Sequence, residues 1–200
     1  MATNPIDRPE EIILGSGDLF LYEYAGEIPA DDVIEADENR AGNIKGGASL
    51  EYTVSSLSVE DDKGRVKRTI LTKEDVKFIT GLITWSEKWF QALIPTARVD
   101  TTSKAGHRVT KLGGLSKQNF KKWLYRFVHT RDDGRKLRIT VTGKNVGTIS
   151  LKFDTENPTT VDGEIAAESL DGDGTLVIYD DELPASAAAA STGPEEQSAE

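Results

Sequence analysis

The sequence predicts a mainly β fold: a β-sandwich or Greek-key barrel of about ten strands with one short flanking helix. Three observations carry this. Residues 17–179 fall into short runs of alternating or β-branched residues bounded by Gly, Asp and Asn. Turn signals recur between the runs, among them Asp62-Lys63-Gly64 and Asp133-Gly134, and Asp-Gly tolerates the positive φ that tight hairpins demand. The apolar period becomes helical only once, after Thr84. Many strands and a single helix pack as two sheet layers or as one sheet closed on itself.

The first run, Gly17–Ala25, is apolar on both faces, which predicts a buried strand. A long connection follows at 26–46, with six acids and two bases. Loops of that length are functional or disordered more often than not, so ordering is expected only against a neighbouring molecule. Ala48–Glu60 is a strand of thirteen residues without Pro or interior Gly. Its apolar positions change phase, from Leu50, Tyr52 and Val54 to Leu57 and Val59, which implies a bulge or a move to another surface. Val66–Leu71 and Val76–Ile83 continue as strands. Thr84-Trp85-Ser86-Glu87 fits a capping box with Thr84 as N-cap. Trp85, Trp89, Phe90, Leu93 and Ile94 then form the core-facing stripe of a helix ended by Pro95. Further strands are expected at His107–Leu112, Phe120–Thr130, Leu137–Thr142, Thr148–Phe153, Gly163–Glu168 and Thr175–Tyr179, with Phe120, Trp123, Tyr125 and Phe127 facing the core. The reading is one domain over 1–184, followed by a disordered Ala/Ser-rich acidic tail over 185–200.

Composition narrows the chemistry. Cysteine is absent, which excludes disulfides, thiolate nucleophiles and zinc–sulfur sites. The start of the chain has no secretion-signal pattern, and no apolar run reaches the length of a membrane span. The expectation is a soluble protein that folds in a cytoplasm without a membrane partner. His107 and His129 are the only histidines, and no nucleophile elbow or Walker A pattern accompanies them. Asp171-Gly172-Asp173-Gly174 starts like a calcium loop but lacks its closing Glu, so it predicts a turn. No catalytic residue, metal site or cofactor is expected, and the chain does not read as an enzyme.

Charge is the positive signal. The formal net charge is −10, which disfavours binding nucleic acid through phosphate neutralisation. Lys117 to Arg138 nevertheless holds eight Lys or Arg and two Asp, a basic island opposite in sign to loop 26–46. Patches of opposite charge register one surface against another. The opening hairpin adds a second signal. Thirteen residues at about 3.3 Å each span roughly 43 Å, against a diameter near 40 Å for a compact chain of this size. Strands that outrun their domain expose unpaired N–H and C=O groups. Copies that complete one another's sheet remove those edges, and head-to-tail rings can stack into a filament around a channel.

GGASLEY (46–52), KRTILTKEDVKFITGLITW (67–85), TARV (96–99), KLGGL (111–115), RFVHTRDDGRKLRITVTG (126–143) and GTISLKF…VDGEIAAESLDGDGTLVIYDDEL (147–183) resemble, in that order, the tail tube proteins of tailed bacteriophages and related contractile particles. The resemblance implies a virion structural protein made in the host cytoplasm. Its subunits would form hexameric rings that stack into a hollow tail tube for genome ejection. The implied partners are further copies of the chain, with tail sheath and terminator or tip proteins as candidates, and DNA in transient, non-specific passage. Loop 26–46 matches the family's inter-ring loop, which assigns Asp31, Asp32, Glu35, Asp37 and Glu38 to that contact. Long strands would line the channel, with Ala48–Leu71 and Thr148–Glu168 as candidates and Glu51, Asp154, Glu156 and Glu164 as lumen acids. Lys121, Lys122, Arg126 and Arg131 would hinder DNA in a lumen, so they are expected to face outward or toward a neighbouring subunit. The alternatives are the tube protein of a secretion machine or related contractile particle, and a monomeric β-sandwich binding module.

Overall fold

The computed structural model describes residue 13 and residues 15–184; the expected acidic tail lies outside the described residues. The chain forms β1 (Asp18–Glu23), a one-turn helix α1 (Asp31–Ile34), a 3-10 turn (Asp37–Asn39), β2 (Arg40–Glu60), β3 (Lys67–Trp85) and α2 (Glu87–Leu93). It continues with β4 (Arg98–Asp100), β5 (Val109–Lys111), β6 (Trp123–Thr130), β7 (Lys136–Asn145), β8 (Val161–Glu168) and β9 (Ile178–Asp181). The large sheet runs β6-β1-β2-β3-β8-β7, and β6 pairs back onto β7. All of these pairings are antiparallel. The sheet is therefore a closed barrel, and β9 lies on β7 beyond the reach of β8. Strands β4 and β5 form a separate ribbon.

Inside the barrel, Leu19, Leu21, Phe78, Leu82, Tyr125, Val141 and Ile165 meet the apolar face of α2. Trp89 is fully buried and stacks edge-on against Tyr125, with ring centroids 6.4 Å apart, while its Nε1 donates to the Val161 carbonyl at 3.3 Å. Gly163 makes this approach possible. A Cβ there would sit 2.8 Å from Leu93 Cδ2 and 3.0 Å from the Trp89 ring. The aromatic stripe is core, as the spacing predicts. Its cap differs: Thr84 stays in β3, where its Oγ1 accepts hydrogen bonds from Asn43 N at 3.1 Å and Asn43 Nδ2 at 2.7 Å. The N-cap is Ser86, whose N–H donates to the Ala41 carbonyl at 2.7 Å. Strand pairing outcompetes the capping box because β3 must reach Trp85 to pair with Gly42.

Strands β1 and β6 are apolar on both faces because both faces are covered. Phe20, Leu124 and Val128 point away from the barrel interior and pack beneath Ile34 of α1. Segment 26–39 is thus folded onto its own barrel, and the expectation that only a neighbour orders it is corrected. Three other expectations change. Phe120 precedes β6 and is 84% exposed, not core-facing. Val66–Leu71 and Val76–Ile83 fuse into the single strand β3. Thr148–Phe153 forms no strand, so the channel candidate Thr148–Glu168 is strand only from Val161 onward.

Candidate assembly interface

Strands β2 and β3 form a hairpin of 21 and 19 residues, longer than the sequence suggests, and at about 3.3 Å per residue β2 spans roughly 70 Å. Only its base belongs to the barrel. Among the described residues, β1 pairs with β2 at Arg40 and Gly42 alone, and β8 pairs with β3 only from Lys77 to Leu82. Residues 52–60 and 67–76 therefore pair only with each other, leaving two bare edges of roughly 30 Å.

Register assigns the side chains to faces, since directly opposed residues in an antiparallel pair share a face. Near the barrel, Tyr52 opposite Val76 and Val54 opposite Glu74 continue the core face of Leu50 and Phe78. Tyr52 is 58% exposed, and its hydroxyl donates to Glu74 Oε1 at 2.5 Å. Farther out, Leu57 opposite Ile70 and Val59 opposite Arg68 occupy the reverse face. The expected bulge is present, but on the partner strand. Ser55 pairs with Lys73 and Ser56 with Leu71, so Thr72 is the extra residue, and its hydroxyl donates to the Ser55 carbonyl at 3.2 Å. Because β2 keeps its own alternation, the two apolar patches lie on opposite faces. Val59, Val66 and Ile70, with Glu60, Asp61 and Arg68, line an open cleft of about 600 Å³ at the tip.

The outward face around the hairpin base is polar. Glu51 and Thr53 on β2, Asp75 and Lys77 on β3, and Asp162 and Glu164 on β8 share it by register. Lys77 Nζ reaches Glu164 Oε1 at 2.6 Å, and this carboxylate raises the lysine pKa. Lys73 pairs with Asp75 at 2.7 Å. Four carboxylates thus face two ammonium groups, a surface that offers little to a phosphate backbone. Two of the predicted lumen acids, Glu51 and Glu164, are brought together here. Asp154 and Glu156 are not: they sit in the irregular segment 147–160, where Asp154 Oδ1 accepts the Glu156 N–H at 3.1 Å. Lys77 and Asp75, which share this face, escape detection in sequence because alternation gives two faces without saying which is buried.

The charge complementarity of loop and island is satisfied within one chain. Arg126 Nη1 donates to Asp31 Oδ1 at 2.6 Å; Glu35 Oε1 accepts from Arg138 Nε at 2.6 Å, and its Oε2 from Lys136 Nζ at 2.6 Å. Arg138 also reaches Glu182 at 2.7 Å. The Arg126 guanidinium holds the Asp31 carboxyl below its ordinary range, and the Lys136 N–H, then Arg138, do the same for Glu182. Arg131 grips both oxygens of Asp181 at 2.8 Å. The side chains of Arg126 and Arg131 are only 6% and 5% exposed, so their expected outward placement is corrected. A desolvated guanidinium needs its carboxylates close by, and Asp31, Glu35, Asp181 and Glu182 supply them. Lys121 and Lys122 do lie at the surface, paired with Glu23 and, at 3.3 Å, Glu168. Of the predicted loop acids, Asp31, Asp32, Asp37 and Glu38 are exposed; Asp32 Oδ1 caps the Val33 N–H at 3.0 Å.

Other candidate chemistry resolves into structure. His129 is buried with Nδ1 2.6 Å from the Ser16 carbonyl. Asp171 Oδ1 accepts the N–H groups of Asp173 and Thr175 at 3.0 and 2.9 Å, which makes its loop a turn. Among the described residues, no three His, Asp or Glu side chains converge on a metal site, and no helix is long and apolar enough to cross a membrane. No family model matches the chain, and no curated protein matches it either.

Proposed function

We propose that this chain is the structural subunit of a phage tail tube, assembling as hexameric rings that stack around a channel for DNA. The observation that carries the reading is the β2–β3 hairpin: residues 52–60 of β2 and 67–76 of β3 leave the barrel with bare edges and uncovered Tyr52, Val54, Leu57, Val59 and Ile70. A lone copy that kept such edges would aggregate; pairing with identical copies removes them and closes the sheet. The acidic face at the hairpin base supports a channel wall, since DNA slides past carboxylates and is retained by unpaired Lys and Arg. The resemblance in motif order supports the phage setting.

Negative-stain microscopy and sedimentation of the purified protein at rising concentration test this. The expected result is rings and hollow tubes in equilibrium with a species near 21.8 kDa. A particle that stays at that mass at every concentration favours a monomeric binding module and overturns the proposal.

A further inference from the structure

Two segments with free strand edges lie at opposite ends of the barrel, and their faces match. One is the hairpin tip. The other is residues 148–153, TISLKF, in which Ile149, Leu151 and Phe153 alternate with polar neighbours in the pattern of a one-sided strand. No backbone–backbone hydrogen bond joins these six residues to any other described residue, and among their carbonyls that of Lys152 accepts from Thr159 Oγ1 at 2.9 Å. Ile149 rests against the core, while Phe153 is 83% exposed and Leu151 40%.

The register of β8 fixes their positions. Strand β3 pairs with β8 from Lys77–Ala166 to Leu82–Val161, and the hairpin leaves past the Lys77 end. Strand β7 runs the other way along β8, and Val146 N still donates to the Glu164 carbonyl at 2.8 Å. Its continuation leaves past the Val161 end. A chain cannot bring these two ends of its own barrel together, but stacked copies can. A contact between unlike ends of identical copies is heterologous and propagates.

We propose that residues 148–153 are a latent strand that orders when the hairpin tip of a second copy, stacked head to tail, pairs with it. The inference rests on the tube reading and specifies its ring-to-ring joint. Strand addition uses main-chain hydrogen bonds for affinity and alternating side chains for register. Here Leu151 and Phe153 join the face of Leu57, Val59 and Ile70, while Ser150 and Lys152 join that of Ser58 and Glu60, with Lys152 and Glu60 opposite in sign. The joint also explains why the apolar residues of β2 change face. The polar side near the barrel stays in water, whereas the same side at the tip is covered by the next copy.

Ser150→Pro is the direct test. It removes a donor that has no partner in the single chain, so the monomer should melt unchanged while tubes shorten to isolated rings. Phe153→Ser, at a side chain already exposed, should act the same way. In wild-type tubes, amide exchange at 149–153 should slow by at least about tenfold relative to the monomer. Because the chain has no cysteine, a Ser58→Cys, Ser150→Cys double variant reports the contact alone: mild oxidation should give a ladder of multimers that neither single variant gives. Full-length Ser150→Pro tubes, or tubes in which 149–153 exchange as fast as in the monomer, overturn this joint and leave the tube reading standing. A protein that never assembles overturns both.

Discussion

Glu35→Ala separates a segment that serves its own barrel from one reserved for a neighbour. The Glu35 side chain is 9% exposed and meets Arg138 and Lys136, each at 2.6 Å, with Arg126 at 3.8 Å. Removing one partner of a buried ion pair costs about 3–5 kcal/mol, because the other charge stays desolvated. Arg138 keeps Glu182 at 2.7 Å and Arg126 keeps Asp31 at 2.6 Å, so the loss falls at the low end, about 3 kcal/mol. At about 2–4 °C per kcal/mol for a domain of this size, the monomer Tm should fall by roughly 6–12 °C. Thermal unfolding followed by circular dichroism, with urea titration at constant m, measures it. Asp32→Ala removes an exposed carboxylate that caps only Val33, and should cost about 1 kcal/mol or less. An unchanged Tm for Glu35→Ala, with assembly lost, would refute the reasoning and return the segment to an inter-ring role.

Three further outcomes are expected. Excising residues 54–74 and joining Thr53 to Asp75, which are paired, through a short turn should leave a cooperative monomer that sediments as one species at all concentrations. Gly163→Ala places a Cβ 2.8 Å from Leu93 and should destabilise the barrel by about 1–3 kcal/mol, read by urea denaturation. Asp31 and Glu182 titrate lower in the folded chain than in the unfolded one, so their stabilisation is complete above the unfolded carboxylate range, near pH 4. It is lost as pH falls through their folded values. The contribution of these two carboxylates should be constant above about pH 5 and drop in acid; an acid loss of unchanged size in an Asp31→Asn, Glu182→Gln double variant would contradict the assignment.

The helix and most strands are legible because their signals are local. Trp89, Phe90 and Leu93 recur at helical spacing, Asp133-Gly134 turns a hairpin, and Gly17–Ala25 is apolar on both faces because both of its faces are covered. The capping box at Thr84 misleads since a local hydrogen-bond option competes with a strand register set 41 residues away. Loop 26–46 misleads for a related reason. Its six acids read as surface charge, but Glu35 is drawn under Arg138 by contacts 103 residues apart in sequence.

Sequence alone determined that this chain is β-rich, contains one helix and no thiol, and carries strands too long for its own core. Tertiary structure decided where those strands go. It closed six of them into a barrel, turned Arg126, Lys136 and Arg138 of the basic island onto the acidic segment, left Thr148–Phe153 unpaired and put the apolar residues of the hairpin on opposite faces. The physical reason is that alternation fixes side-chain direction relative to the strand, whereas only pairing register and burial say which face meets protein and which meets water.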